Sequence, residues 1–363
     1  MPSKSSRANP LLDISGRGAS SNATSRFDRL KTEIDLSDFG FADDDDVSRP
    51  TTVFMPDASR TILAENSSPD IPFRFSINPY RGCEHGCAYC YARPTHEYLG
   101  LSAGLDFETK IFVKECAPEL LREKLMSRSW QPQQIVMSGV TDCYQPVERR
   151  FELTRRCLET FAEFRNPVAI ITKNSLVMRD LDILKDLASD GCALVFLSIT
   201  TLDPTLARAL EPRTSAPSAR LRAIEALAAA DVPVGVNIAP VIPGLTDHEM
   251  PAILKAAANA GAKFAGYTPL RLPLSTLPIF TEWLEREQPS RKDKILAAIR
   301  DIRGGLLNDA NFGSRMRGSG ARADQIGATF DLFCRRHHLN RGEVQLSTAN
   351  FRRPGSQLDL FDV

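Results

Sequence analysis

The chain has 363 residues, with 45 Lys plus Arg balanced by 45 Asp plus Glu, 42 % hydrophobic and 25 % charged residues. That length exceeds one average domain but suits a single α/β barrel with extensions, the composition allows a large core, and the zero net charge gives no global sign of a polyanionic partner. No run approaches about 20 apolar residues, which excludes a membrane-spanning helix, and the N-terminus MPSKSSRANPLLDISGRG lacks the apolar core of a secretory signal. A cytoplasmic, reducing setting is therefore expected, where clustered cysteines bind metal or do redox work more often than they pair.

In chain order, residues 1–50 are rich in Ser, Gly, Arg and Asp and end in ADDDDVSRP. They bury little and are expected to be disordered, apart from a helical turn or two at FDRLKTEI. From about residue 70, short apolar runs alternate with helical segments. The runs are IPFRFSI (71–77), QIVMSG (134–139), VAIIT (168–172), ALVFLSI (193–199), VPVGVNIAP (232–240) and KFAGYTPL (263–270). Between them, APELLREKLM, ELTRRCLETFAEF, RDLDILKDLAS, SARLRAIEALAAA and EMPAILKAAANA carry apolar residues near a 3.6 period. Strands separated by helices pair in parallel, and continuous apolar strands suit a sheet covered by helices. Six units are too few for a closed eight-stranded barrel. They predict an α/β fold with a partial (β/α)6 TIM-like barrel over 51–302, or failing that a doubly wound sheet. Residues 303–353 hold nine Arg and no Lys against four acids, a net of +5, and QIGATFDLFCRRHH reads as a helix. This Arg-rich stretch is expected to form a C-terminal extension (303–350), followed by a mobile tail (351–363).

The chemistry concentrates in NPYRGCEHGCAYCYAR, residues 78–93, which places Cys83, Cys87 and Cys90 on one short loop. Gly82 and Gly86 permit tight turns between the thiols. A structural zinc site takes four ligands, usually as two separated pairs; here the fourth would be His85 or His96, and a zinc-stabilised binding module without catalysis is one alternative. A [4Fe–4S] cluster normally takes four cysteines. Three would leave one iron open to bind something else.

The Cys-x3-Cys-x2-Cys motif, with Tyr89 before its last cysteine and a first strand ahead of it, resembles the signature of the radical S-adenosylmethionine (SAM) superfamily. The stretches SINPYRGCEHGCAYCYARPTHEYLG, TDCYQPVERR, SITTLDPTLARALEPRTSAPSARLRAIEAL and IAPVIPGLTDHE resemble its spore photoproduct lyase-like branch over roughly 65–310. The resemblance implies that Cys83, Cys87 and Cys90 hold three irons of a [4Fe–4S] cluster while the fourth binds SAM. Electron transfer then splits SAM into methionine and a 5′-deoxyadenosyl radical that takes hydrogen from the substrate. It also implies a reductant such as flavodoxin or ferredoxin, and cofactor contacts at strand ends. The candidates carried over are Tyr89, Ser138, Gly139, Thr141, Asp142, Thr172, Lys173, Ser198, Arg213 and Asn237. MSGVTD lacks the Gly-Gly-Glu of many members. Arg213 is expected to pair with the SAM carboxylate or with a structural carboxylate such as Glu211, because a guanidinium fork matches a carboxylate. Ser198 and Asn237 are also open to a plain structural role at strand ends.

Spore photoproduct lyases return hydrogen through a cysteine assisted by a tyrosine, which makes Cys143 and Tyr91 the catalytic candidates, both expected to face the cavity. Tyr91 matches the family position well and Cys143 only loosely. Cys157, Cys192 and Cys334 read as packing residues, and Cys116 is unassigned.

Near the C-terminus, QLDLF (357–361) resembles the pentapeptide by which bacterial polymerases and repair factors dock on the replicative sliding clamp. Gln357 would bond at the rim while Leu358, Leu360 and Phe361 fill apolar pockets; the alternative is a tail folded back on its own domain. Together with the Arg-rich segment, the tail makes DNA a candidate partner and a damaged or modified base a candidate substrate. The competing expectation within the same chemistry is a small-molecule or protein substrate, with the Arg-rich segment merely capping the barrel.

Overall fold

A computed structural model describes residues 16–23, 25–27, 50–342 and 345–355. The described residues form ten strands: β1 (Val53–Pro56), β2 (Leu63–Glu65), β3 (Phe75–Ile77), β4 (Tyr80–Arg81), β5 (Lys110–Val113), β6 (Ile135–Met137), β7 (Val168–Thr172), β8 (Ala193–Ser198), β9 (Val234–Val241) and β10 (Phe264–Pro269). The main sheet runs β10-β9-β8-β7-β6-β3-β2. Its six strands from β3 to β10 are parallel, and β2 adds an antiparallel edge. These six fall within the expected apolar runs, β9 passing its run by one residue. The small sheet β1-β5-β4 was not foreseen; its strands are only two to four residues long.

Helices Ala117–Met126, Leu153–Phe164, Leu181–Ser189, Pro217–Ala229 and Met250–Asn259 connect the parallel strands and cover them, giving the partial (β/α)6 barrel. The alternation of side chains along a strand divides the core in two. Ile135, Met137, Val168, Ile170, Val195, Leu197, Val234 and Val236 pack in the large outer core, which also takes in the helices' buried apolar residues. Their neighbours Val136, Ala169 and Leu194 form an inner cluster with Phe73, Phe196 and Leu346. Each fully buried Val or Leu contributes about 1.5–3 kcal/mol, so this two-sided burial fixes strand register.

The C-terminal region closes both weak points of an open barrel. Helix Ala321–Arg336 lies against Met250–Asn259, with the Phe330 ring 4.7 Å from that of Tyr267 of β10 and tilted by 43° to it. Asn340 occupies the open edge of β10, accepting from Ala265 N (2.8 Å) and donating to Ala265 O (3.0 Å), which blunts an edge that otherwise invites pairing. The following segment crosses the end of the barrel where the strands begin: Ser347 N bonds Gly191 O at 2.9 Å, Arg352 N bonds Phe164 O at 2.9 Å, and Arg353 donates to Trp130 O at 2.9 Å. Residues 351–355, expected as part of a mobile tail, are thus docked; 357–361 lie outside the described residues. Within the stretch expected to be disordered, 16–23 and 25–27 are described, and the former packs on the cysteine loop. No helix among the described residues is long and apolar enough to cross a membrane.

Candidate active site

Cys83, Cys87 and Cys90 follow β4 and lie on the side of the barrel where the parallel strands end. Two consecutive turns shape the loop, with Gly86 N bonded to Cys83 O (3.3 Å) and Cys90 N to Cys87 O (3.2 Å). Gly86 has φ +65°, and a Cβ there would meet the Glu108 carboxylate at 2.6 Å, so both backbone and space require glycine. Fully buried Arg93 clamps the loop from behind: it donates to Cys87 O at 2.9 and 3.0 Å and to Gly86 O at 3.2 Å, and pairs with buried Glu108 at 2.5 Å. Glu108 in turn accepts from Gly18 N (3.1 Å) and Ala19 N (2.9 Å). A Cβ on Gly18 would lie 1.8 Å from Gly86 O, so the N-terminal segment seals the outer side of the loop by direct backbone contact.

All three thiols are free, and burial pushes each upward in pKa; that of Cys83 is raised further by Asp142 and by the other two thiols. Three mutually repelling sulfur ligands in one buried place suit a cationic inorganic centre. Among the described residues, no three of His, Cys, Asp and Glu are close enough to share one ion. Of the two histidines offered as a fourth zinc ligand, His85 is engaged, while His96 has both ring nitrogens without a hydrogen-bond partner among the described residues and is packed against aromatic rings. His85 Nδ1 lies 3.4 Å from Asp142 and its Nε2 is 3.3 Å from Asn174. His96 is buried edge-on against Phe107 and Phe112, and burial lowers its pKa to about 4.

The strand ends bring most of the predicted cofactor contacts together, but many are occupied. Ser138 follows β6 at φ +75°, a left-handed conformation rare for serine, and its hydroxyl accepts from Cys143 N at 2.8 Å. Asp142 receives Thr172 Oγ1 (2.7 Å) and Lys173 N (2.8 Å); burial raises its pKa, yet His85 and these donors hold it below the usual carboxylate range. Thr141 is tied to Tyr80 O at 2.7 Å. These hydrogen bonds shape the turn after β6. Lys173, after β7, crosses to β9, donating to Ala239 O at 2.7 Å and lying 3.3 Å from Glu211, with the Tyr89 ring 5.7 Å below its ammonium. Buried Glu211 also receives Tyr89 OH, Thr200 Oγ1 at 2.7 Å and Arg220 at 2.5 Å. Arg220 additionally takes Ser198 O at 2.8 Å. Arg213 does not pair with Glu211, the structural carboxylate suggested for it: it pairs with Glu84 at 3.0 Å. Arg220 takes its place because it lies on the helix facing the end of β8. Asn237, on β9 between Ser198 and Gly266, and Ser198 itself are predicted contacts whose side chains no internal hydrogen bond holds among the described residues.

The two catalytic candidates part company. Tyr91 is 49 % exposed, directly after the loop, and donates to Gly139 O at 3.0 Å. Cys143, also expected to face the cavity, is 1 % exposed and packs in the outer core, because the Ser138 turn tucks it beneath the mouth. Cys157, Cys192 and Cys334 are buried as expected, and Cys116 is exposed. Sequence reasoning missed Arg93, Glu108, Arg220 and also Arg271, which follows β10 and lies 6.0 Å from the Tyr91 ring.

The sequence profile of the radical SAM superfamily matches residues 77–257, about half of the chain. An uncharacterized protein of Mycobacterium tuberculosis (strain H37Rv) is 39 % identical over 221 residues, covering 60 % of this chain and 65 % of that one. Another, from Methanocaldococcus jannaschii, is 32 % identical over 176 residues, covering 48 % and 63 %. The chain thus spans somewhat less than two thirds of the length of these relatives. Among solved structures, spore photoproduct lyase complexed with dinucleoside spore photoproduct aligns with TM-score 0.58 at 16 % identity over 80 % of each chain. A cysteine-to-serine variant of that lyase aligns with TM-score 0.57 at the same identity and coverage. The cysteine loop at the strand ends of a six-unit parallel half-barrel, the profile match and the shared fold agree: the chain belongs to the radical SAM superfamily, with the fold of its spore photoproduct lyase-like branch.

Proposed function

We propose that the protein is a radical SAM enzyme that holds a [4Fe–4S] cluster on Cys83, Cys87 and Cys90 and acts on a base of a nucleic acid. The observation that carries this reading is the thiol trio itself: three free cysteines on one clamped loop, Cys83 and Cys87 buried and Cys90 partly so. The cluster, when bound, supplies the electron that splits SAM into methionine and a 5′-deoxyadenosyl radical. The chain's own residues place and protect it. Arg93 and Glu108 fix the loop carbonyls, and the segment 16–23 excludes water from its outer side. Lys173 and Glu211 set the charge at the ends of β7 and β8, while Asn237 offers a half-buried amide to a cofactor. Tyr91 stands between the loop and the open mouth, where hydrogen must pass.

The nucleic-acid substrate is supported by the fold shared with a lyase solved with a dinucleoside photoproduct and by the exposed aromatic and arginine at the mouth. Flavodoxin or ferredoxin suits the role of reductant. The pentapeptide Gln357–Phe361 supports docking on a sliding clamp, tested by clamp pull-down with Phe361→Ala as control.

Anaerobic reconstitution with iron and sulfide, followed by reductant and SAM, tests the core of the proposal. The expected result is a brown protein that forms 5′-deoxyadenosine, in a yield that DNA alters. Each of Cys83→Ala, Cys87→Ala and Cys90→Ala should abolish both colour and product. Colourless protein carrying stoichiometric zinc would overturn it.

A further inference from the structure

Polar side chains lie at or just past the ends of β6, β7, β8 and β10, and for most of these the structure supplies a partner. Arg271, two residues past β10, is different. Its Nε is buried with no hydrogen-bond partner. One terminal nitrogen, Nη1, has only the Met316 thioether at 3.3 Å, a weak acceptor. The carboxylate on this side, Asp70, is consumed by Arg315 at 2.5 Å and by Gly313 N at 2.6 Å. Arg303 nearby spends its terminal nitrogens on four backbone carbonyls, Pro269, Leu270, Ser314 and Arg315. The guanidinium of Arg271 is therefore left with unused donors, and the nearest carboxylate, Asp70, is already held by Arg315 and Gly313; a bound anion would take those donors.

Its surroundings say which anion. The guanidinium lies 6.0 Å from the ring of Tyr91, which is 49 % exposed and one residue from Cys90. Phe312, 62 % exposed, carries Arg315 at 4.5 Å on the same rim. Exposed rings interleaved with arginines are what a single-stranded or flipped-out nucleotide uses, its base stacking on the ring and its phosphate taking the guanidinium fork. A base held inside a duplex would not reach a recessed loop.

We propose that Arg271 is the phosphate anchor of the substrate strand, holding a backbone phosphodiester beside the cysteine loop so that the attached base meets Tyr91; this rests on the nucleic-acid reading above. The anchor makes no covalent step. It sets where the strand lies relative to the cluster.

The test measures binding of a fluorescent single-stranded oligothymidylate to the reconstituted protein at several salt concentrations. Arg271→Ala should weaken binding about tenfold and lower the slope of log K against log salt by about one. Arg271→Lys should keep the slope but recover only part of the affinity, since a point charge lacks the fork. Arg128→Ala, at the opposite end of the barrel, should bind like the unsubstituted protein, and equal iron content across the variants shows that folding is intact. If Arg271→Ala retains full affinity and slope, or loses no more than Arg128→Ala, the anchor is overturned while the nucleic-acid reading stands. If the unsubstituted protein binds no oligonucleotide, that reading fails and the anchor with it. Displacement by inorganic phosphate at equal phosphate concentration would overturn the strand assignment in favour of a small phosphate ester.

Discussion

Two charged regions at the mouth of the half-barrel are built on opposite principles. Around Glu211, one buried carboxylate is shared by Arg220 and Lys173 and accepts from Tyr89 and Thr200, and the remaining donors of both cations are spent on backbone and hydroxyl oxygens inside the protein. Around Arg271, a guanidinium keeps unused donors beside an exposed tyrosine. The first arrangement holds strands β7, β8 and β9 in fixed relation and has nothing left to give a ligand. The second holds little and is ready to receive. Charge at a site therefore does not by itself mark binding; charge without an internal partner does.

The contrast is most exposed to test at Glu211. Glu211→Ala leaves buried Arg220 and half-buried Lys173 without a counter-ion and is expected to cost about 3–5 kcal/mol in urea unfolding, against a smaller loss for Glu211→Gln. A loss below about 1 kcal/mol for the alanine variant would remove the distinction between the two regions. Acidification sharpens it. Burial pushes the Glu211 carboxyl up in pKa, but Arg220 and then Lys173 hold it well below the carboxylate range. A pKa depressed by folding means that the pairing stabilises fully above the unfolded value, about 4.3, and is lost as pH falls through the folded one. Unfolding free energy should thus drop below about pH 4.5, with Glu211 contributing up to about 1.4 kcal/mol per pH unit, and Glu211→Gln should show a shallower acid limb. The smallest effect belongs to the other region. Arg271→Ala should change unfolding free energy by no more than about 0.5 kcal/mol, because the side chain has no strong partner to lose; a cost of several kcal/mol would make it structural.

Much of the fold was legible in the sequence. The six barrel strands and the helices between them lie where apolar periodicity placed them, because burial on both faces of a parallel sheet demands continuous apolar runs. The cysteine loop was equally legible, since its three ligands and two glycines are sequence neighbours and the chain between them fixes their reach. Individual contacts were not. Arg213 and Arg220 read alike in EPRTSAPSAR, and only the packing of helix Pro217–Ala229 decided that Arg220 meets Glu211 while Arg213 turns to Glu84. The fate of Cys143 depended on the left-handed turn at Ser138, which no spacing announces.

What the sequence determined by itself, then, is a sulfur-lined loop ahead of a run of alternating strands and helices, because those properties depend on residues a few positions apart. Which polar groups are spent and which remain was decided by tertiary structure. Gly18 reaches Gly86 and Arg271 reaches Tyr91 across spans that only sheet order and barrel curvature can close, and a side chain is free for a ligand only after every neighbour that folding brings has been counted.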